Sequence, residues 1–287
     1  MKTAPKEAEM LIKVQGYVNN LFGHLSINRI SKGSNYCYRI GNPPVYALKV
    51  TNWNGDAEQY VLRRWQEAGI PIVPLVRYDS KPEGFDNHDI LITKYVEHDQ
   101  DAYPTMRQRG SLLRRIHAIE ADGFGNIEQG KGQSQSWREF LERFVADYKQ
   151  ELENLGLKHR EYTKGLEQLP EKNVLLHGDL RKHNILMQGN KVKAIIDPHG
   201  VVGDPLFDVA MSTYEPEEDL DSLLAGYNSK EISENEIKRI RKYQELIRLH
   251  KIGWLSSMLA KEEMTDEGRS WFEKRRKSLL DSLEKQK

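Results

Sequence analysis

LLHGDLRKHNILMQGNKVKAIIDPHG, residues 175–200, decides how the rest of the chain is read. It sets His177, Asp179, His183, Asn184, Asp197 and His199 between runs of leucine, isoleucine and valine. Three readings compete for polar groups placed this way. They cap the turns of a buried hairpin, they hold a metal, or they move a phosphoryl group. The run NILMQGNKVKAIID has two apolar segments around Gln188-Gly189-Asn190, which is a hairpin pattern, and a lone Asp or Asn there would be a turn residue. A metal hydrolase would use His177, Asp179, His183 and Asp197, because imidazole and carboxylate suit zinc or iron. No second dense His/Asp cluster stands elsewhere in the sequence to extend such a site.

The third reading gathers more of the chain. Phosphoryl transfer needs a carboxylate to take the proton of the attacking hydroxyl, an oxygen ligand for one metal ion, and a second carboxylate bridging metal and phosphates. Protein-kinase catalytic loops place the base Asp five residues before the metal Asn, and Asp179 and Asn184 have that spacing. A strand-turn-strand then carries Asp197 to the loop end. Upstream, a strand lysine should hold the phosphates and pair with a glutamate on the next helix. YALKV supplies Lys49 and DAEQYV supplies Glu58. Each part alone is weak, since any soluble protein has a lysine in a strand. Five roles in the right chain order make phosphoryl transfer the favoured reading.

Composition and patterning agree with an enzyme of this size. The 287 residues suffice for one large domain or two lobes with a sizeable core. Lys+Arg and Asp+Glu are equal at 43 each, so no basic excess points to nucleic acid. The single cysteine, Cys37, excludes an intramolecular disulfide and a cysteine zinc site, and fits a reducing cytoplasm. The opening residues lack the apolar core of a signal peptide, and no apolar run is long enough to cross a membrane. Leu11, Val14, Val18 and Leu21 instead recur at helical spacing.

After that helix come three strands in a meander: Ser26–Ile30, YCYRI and VYALKV, joined by SKGSN and GNPP turns. DAEQYVLRRWQEAG reads as a helix ended by Gly69. IPIVPLVRYD and HDILITKYVEH read as two more strands. From about Glu97 the texture turns helical, with SLLRRIHAIE stopped by the glycine-rich ADGFGN and one long helix over SWREFLERFVADYKQELENLG. The expected fold class is α+β and bilobal: an N-terminal lobe over 1–97 with an antiparallel sheet plus helix, and a mainly helical C-terminal lobe over 98–287.

HGDLRKHNIL, AIIDPHGVVGDPLFDVA, KGSNYCYRI before ALKV, and GFGN followed by SWREFL together resemble the aminoglycoside phosphotransferase and choline kinase-like family. The resemblance covers roughly residues 25–215 and reaches kinases of choline, methylthioribose, homoserine and fructosamine. It implies a protein-kinase-like fold, with ATP and Mg²⁺ as cofactors. It implies Asp179 as catalytic base, Asn184 and Asp197 as magnesium ligands, and Lys49 with Glu58 on the phosphates. The backbone of Lys94, Tyr95 and Val96 would meet adenine, and Ser34 and Asn35 would meet phosphate or form a plain turn. Asp208 would brace the catalytic loop through backbone N–H groups, and His177 would orient it. Three departures argue against a protein substrate: only Gly33 in the phosphate loop, Pro198-His199 after Asp197, and no A-P-E motif.

The expected partner is a small hydroxyl acceptor, aminoglycoside-like or sugar-like, with no nucleic acid and no membrane. Arg181, two residues past the base, faces either the γ-phosphate or solvent. A polycationic acceptor needs an acidic rim, for which YEPEEDLD offers Glu215, Glu217 and Glu218; the same run also suits a solvated helix start. Metabolic kinases of the same fold and a catalytically silent nucleotide-binding module remain alternatives. The helical C-terminus serves the second lobe or a dimer equally, so the oligomeric state stays open.

Overall fold

A computed structural model describes residues 3–30, 35–158, 162–163, 165–166, 172–227, 232–261 and 264–284. The chain forms two compact units. The first runs to Ala102 and takes in Ile185–Asp197; the second holds Tyr103–Asn184 and everything from Pro198 onward.

The first unit is built on a five-stranded antiparallel sheet in the order β1-β2-β3-β5-β4. Its strands are β1 (Ile27–Arg29), β2 (Tyr36–Ile40), β3 (Tyr46–Thr51), β4 (Leu75–Asp79) and β5 (Asp89–Lys94). β3 is central, with Lys49 opposite Cys37 of β2 and Leu91 of β5. Side chains alternate across a strand. Leu48 and Val50 therefore face helix α1 (Thr3–Phe22), packing with Met10, Val14, Val18, Ile90 and Ile92. The buried stripe of α1 includes Met10, whereas Leu11 is 41% exposed. Lys49 points the other way, to helix α2 (Gly55–Glu67), whose buried stripe is Ala57, Glu58, Val61, Leu62 and Trp65.

The hairpin of β9 (Ile185–Gln188) and β10 (Lys191–Ile195) packs with this unit, not with the helical half that the sequence reading gave it. Asp99 N–H donates to Met187 O at 2.8 Å, Gly189 N–H to Asp99 Oδ2 at 2.6 Å, and Ile195 N–H to Pro71 O at 2.8 Å. Ile185, Met187, Ala194 and Ile195 are buried, so apolar contact and backbone pairing fix the same docking.

The second unit carries more sheet than expected. β6 (Phe124–Glu128) and β7 (Lys131–Ser134) form a hairpin where a glycine-rich helix stop was read. With β8 (Val174–Leu176) and β11 (Val201–Gly203) they make a four-stranded antiparallel sheet in the order β7-β6-β11-β8. The single long helix expected after it is two, α4 (Trp137–Ala146) and α5 (Lys149–Asn154), broken at Asp147-Tyr148. α3 (Met106–Ile116) precedes the sheet and starts at a Thr105/Gln108 capping box. α6 (Pro205–Met211), α7 (Leu220–Tyr227), α8 (Glu234–Leu259) and α9 (Asp266–Glu284) complete the unit, and α8 packs on α4, α5, α6 and α9. No helix among the described residues is long and apolar enough to cross a membrane.

Candidate active site

The residues singled out from sequence fall into two sets, one in each unit. In the first unit, Lys49 Nζ donates to Glu58 Oε2 at 2.6 Å and also binds Asp197 Oδ1. Burial works against the ammonium, but the two carboxylates hold its pKa above the ordinary value, so it stays charged. Burial raises the pKa of Glu58, opposed by Lys49. Asp197 follows the end of β10 with φ 59°, a left-handed conformation that Asp tolerates better than most residues, and its side chain is 46% exposed.

The strand edge expected to meet adenine is partly committed. Lys94 N–H donates to Pro74 O and Tyr95 N–H to Val45 O, each at 2.9 Å. Of the three amides expected there, Val96 N–H alone makes no such bond among the described residues. Val96 O lies 2.9 Å from His98 Nδ1. Asn35 precedes β2, and Ser34 lies outside the described residues.

The second unit holds the loop after β8. Asp208, fully buried on α6, accepts from His177 N–H and Gly178 N–H, each at 2.7 Å, and lies 3.2 Å from His117 Nε2. Burial opposes its charge, but these groups hold its carboxyl below the usual range. Gly178 has φ +77°, and a Cβ there would stand 2.8 Å from His199 Cβ. His177 Nδ1 accepts from Asp179 N–H at 3.2 Å, and His199 N–H donates to His177 O at 2.7 Å. The loop is thus held by a buried anion and its own backbone before any ligand arrives.

Asp179 is 5% exposed. Its Oδ2 accepts from Arg181 Nη2 at 2.8 Å and Asn184 Nδ2 at 3.4 Å, while Oδ1 is buried and meets no donor. Burial would raise its pKa, but Lys251, Arg181 and His199 hold it below the usual carboxylate value. Asn184 Nδ2 also donates to Asp179 O at 2.9 Å, which turns the amide oxygen away from the loop. That oxygen has no hydrogen bond among the described residues and suits a hard cation. No group of three or more His, Cys, Asp or Glu that could hold a metal exists among the described residues, so the His/Asp hydrolase reading has no site.

The acidic run is largely engaged. Glu215 pairs with Arg275 of α9, and Glu218 Oε2 accepts from Arg109 Nη1 at 2.8 Å; Glu217 is exposed. Arg109 is a functional support that sequence reasoning missed. It is 1% exposed and donates to Ser212 O at 2.6 Å and Leu180 O at 3.4 Å, anchoring the residue after Asp179. His117, bound to Asp208 and Tyr227 Oη, and Lys251 on α8 were missed too. The signal for Arg109 was a charged residue on the apolar side of α3, visible only once that side is known.

An α+β chain of two units with these residues defines a class: a phosphotransferase that acts on a hydroxyl group of a small molecule. The sequence profile of the phosphotransferase enzyme family matches residues 39–243, and the chain belongs to that family. Solved structures share the kinase-like fold. A thermostable mutant of the aminoglycoside phosphotransferase APH(4)-Ia, in ternary complex with AMP-PNP and hygromycin B, is 21% identical with a TM-score of 0.66, covering 94% of this chain and 98% of that one. A choline/ethanolamine kinase family protein from Mesorhizobium loti is 20% identical with a TM-score of 0.67, covering 98% and 96%. The amicoumacin kinase hAmiN, in complex with AMP-PNP, Ca²⁺ and amicoumacin, is 15% identical with a TM-score of 0.68 and the same coverage. A search of curated proteins finds no match.

Proposed function

We propose that this enzyme transfers the γ-phosphoryl group of ATP, with Mg²⁺, to a hydroxyl of a small, sugar-like acceptor. The observation that carries the reading is Asp179 Oδ1: a buried carboxylate oxygen with no donor, on a loop fixed by Asp208. Such an oxygen is poised to accept a hydroxyl proton, and its low pKa keeps it ionised at neutral pH. The aminoglycoside and amicoumacin kinases among the structural neighbours support a polyhydroxylated acceptor.

Each remaining residue has a role in the same step. Lys49, kept charged by Glu58, binds the phosphates. Asn184 Oδ1 and Asp197 would be the residues to hold a divalent metal, which would offset phosphate charge. Arg181 orients Asp179 through Oδ2 and leaves Oδ1 to the acceptor. Val96 N–H is the strand-edge donor for the base of the nucleotide. The Mg²⁺-dependent reaction is a single in-line displacement: the acceptor oxygen bonds to phosphorus, the bond to ADP breaks, and the hydroxyl proton passes to Asp179.

The test is a coupled ADP-release assay with Mg-ATP over a panel of hydroxyl acceptors. Asp179→Ala is expected to lower kcat by about three orders of magnitude with nucleotide affinity unchanged. Near-full activity in that variant overturns the assignment of the base.

A further inference from the structure

Asp179 is held by its neighbours on both sides. Before it, the N–H groups of His177 and Gly178 donate to Asp208. After it, Leu180 O accepts from Ser212 Oγ at 3.0 Å and from Arg109 Nη2 at 3.4 Å. Asp208 lies on α6 and Ser212 caps it, so one short helix meets both sides of the base. Neither anchor stands alone. Asp208 takes its third contact from His117, and Ser212 O accepts from Arg109 Nη2 at 2.6 Å. Arg109 and His117 both come from α3, the first within it and the second at its C-cap.

One contact further out, both supports are tied to α7. Arg109 Nη1 donates to Glu218 Oε2 at 2.8 Å, and His117 Nδ1 lies 2.9 Å from Tyr227 Oη. Asp208 as a carboxylate only accepts, so His117 Nε2 carries the hydrogen, and Nδ1 of the neutral ring accepts from the Tyr227 hydroxyl. Glu218 stands two residues before α7, and Tyr227 ends it. The Arg109 side chain is almost wholly buried, so its cation depends on the Glu218 carboxylate for balance. α3 and α7 also meet backbone to backbone at Gly110 and Gly226.

We propose that α7 clamps the catalytic loop from its two ends: Glu218 and Tyr227 are positioning residues that set Asp179 through Arg109 and His117. This deepens the phosphotransfer reading and rests on it. It gives Glu218 a task other than meeting a cationic acceptor, because its Oε2 already holds an arginine. A displaced Arg109 releases Leu180 O, and a displaced His117 releases Asp208; each loosens the segment that carries the base. Proton transfer needs the base within hydrogen-bond reach of the hydroxyl, and an error of about 1 Å costs about a hundredfold in rate. Loss of the clamp therefore lowers kcat and leaves the substrate constants in place.

The test uses the whole protein as wild type, Glu218→Gln and Tyr227→Phe. Hydrogen exchange is followed by mass spectrometry over residues 175–184 and, for comparison, over α8. In both variants the loop amides are expected to exchange about tenfold faster with α8 unchanged, since each variant breaks one link of a buried hydrogen-bonded chain. ADP release from Mg-ATP is measured with water, glucose, choline and hygromycin B as acceptors. For every acceptor that turns over, kcat is expected to fall about ten- to a hundredfold, with acceptor KM and the Kd of Mg-AMP-PNP changed less than about twofold. Loop exchange and kcat unchanged in one of the two variants is enough to overturn the clamp. Equal loosening of the loop and α8 also overturns it, because the residue is then a general support of the fold. A raised KM for choline or hygromycin B alone, at unchanged kcat, in Glu218→Gln overturns it too and returns Glu218 to the acceptor. If Glu218→Gln does not fold, Tyr227→Phe, which removes a single oxygen atom, still decides. Wild-type protein that does not bind Mg-AMP-PNP overturns the phosphotransfer reading instead, and the exchange measurement judges the clamp by itself.

Discussion

Asp208 shows what one buried carboxylate does for a loop. Its two oxygens face His177 N–H, Gly178 N–H and His117 Nε2, so both are engaged. Asp208→Asn replaces one oxygen by an NH₂ that confronts a donor. The expected cost is about 2–4 kcal/mol, from one lost charged hydrogen bond and one unmet buried donor. Urea unfolding checks this, with activity expected to fall in parallel because the loop carries Asp179. A change below about 0.5 kcal/mol would show that the loop is held from elsewhere.

The residues that the sequence reading named lie in local patterns: Asp179 and Asn184 five apart, Asp197 at the end of a hairpin, Lys49 on a strand, and Glu58 on the helix that follows. Short-range spacing survives folding, so the elements that carry these candidates could be placed. Arg109, His117 and Lys251 could not. They lie on or at the end of helices whose polar residues look solvated, and Arg109 and His117 act across many residues of chain: His117 on Asp208, and Arg109 on Leu180. For the strand edge expected to meet adenine, the hydrogen bonds of Lys94 and Tyr95 to Pro74 and Val45 depend on strand pairings that a sequence does not display.

At the scale of elements, α3 and α7 approach through glycines. A Cβ on Gly110 would stand 2.0 Å from Leu223 O, and one on Gly226 would stand 2.0 Å from Arg107 O. Neither contact can exist, and backbone cannot rotate aside as a side chain can. Gly226→Ala must therefore push the helices apart. Overpacking of this kind costs about 1–3 kcal/mol or more, against a gain of under 1 kcal/mol from helix propensity. A lower denaturation midpoint is expected for Gly226→Ala, and lower still for the double variant with Gly110→Ala. Unchanged midpoints would mean that the helices have room to spare.

Elements with strong periodicity were legible: α1, α2, the meander and the hairpin over residues 185–195. The β6–β7 hairpin was not, because its strands read FGNIE and KGQS, short and glycine-bearing with little β-branched content. Position and not propensity makes them strands: Val201 and Val202 of β11 pair with Asn126 and Gly125. The break between α4 and α5 was hidden for a related reason. Tyr148 stops α4 where its ring packs against Gly253 of α8, a tertiary contact with no local mark.

At the scale of the whole molecule, acid should weaken the fold. His250 is half-buried, stacked on Phe144 at 3.8 Å between ring centroids, with its pKa pushed down to about 3 by desolvation and Lys251. The unfolded chain binds that proton at the ordinary histidine value, so between the two values the unfolded state carries more protons and stability rises with pH. Asp208, with its lowered pKa, acts in the same direction at lower pH. Stability is expected to fall by at most about 1.4 kcal/mol per pH unit from His250 as pH drops below roughly 6.5. Denaturant midpoints at pH 7, 6 and 5 measure it, and His250→Asn should flatten the slope. An equal slope in the variant would assign the effect to other groups.

The hairpin of residues 185–195 gives a second test at this scale. Residues 1–102 alone lack the partners of Asp99 and Pro71 and the buried Ile185, Met187 and Ile195. We propose that the first lobe is complete only with them. A 1–102 fragment should expose apolar surface and bind a hydrophobic dye, and linking 185–197 to it should restore cooperative unfolding. Equal melting of the two fragments would place the lobe boundary at residue 102.

That interrupted lobe also has a consequence in time. On the ribosome the five-stranded sheet emerges first, but its last hairpin is separated from it by residues 103–184. At about 5–20 residues per second, the sheet waits roughly 4–16 seconds for the piece that covers Asp99 and Pro71. During that interval the nascent chain presents a sticky, half-finished surface to its neighbours and to chaperones, and slowing translation across 103–184 would lengthen the exposure.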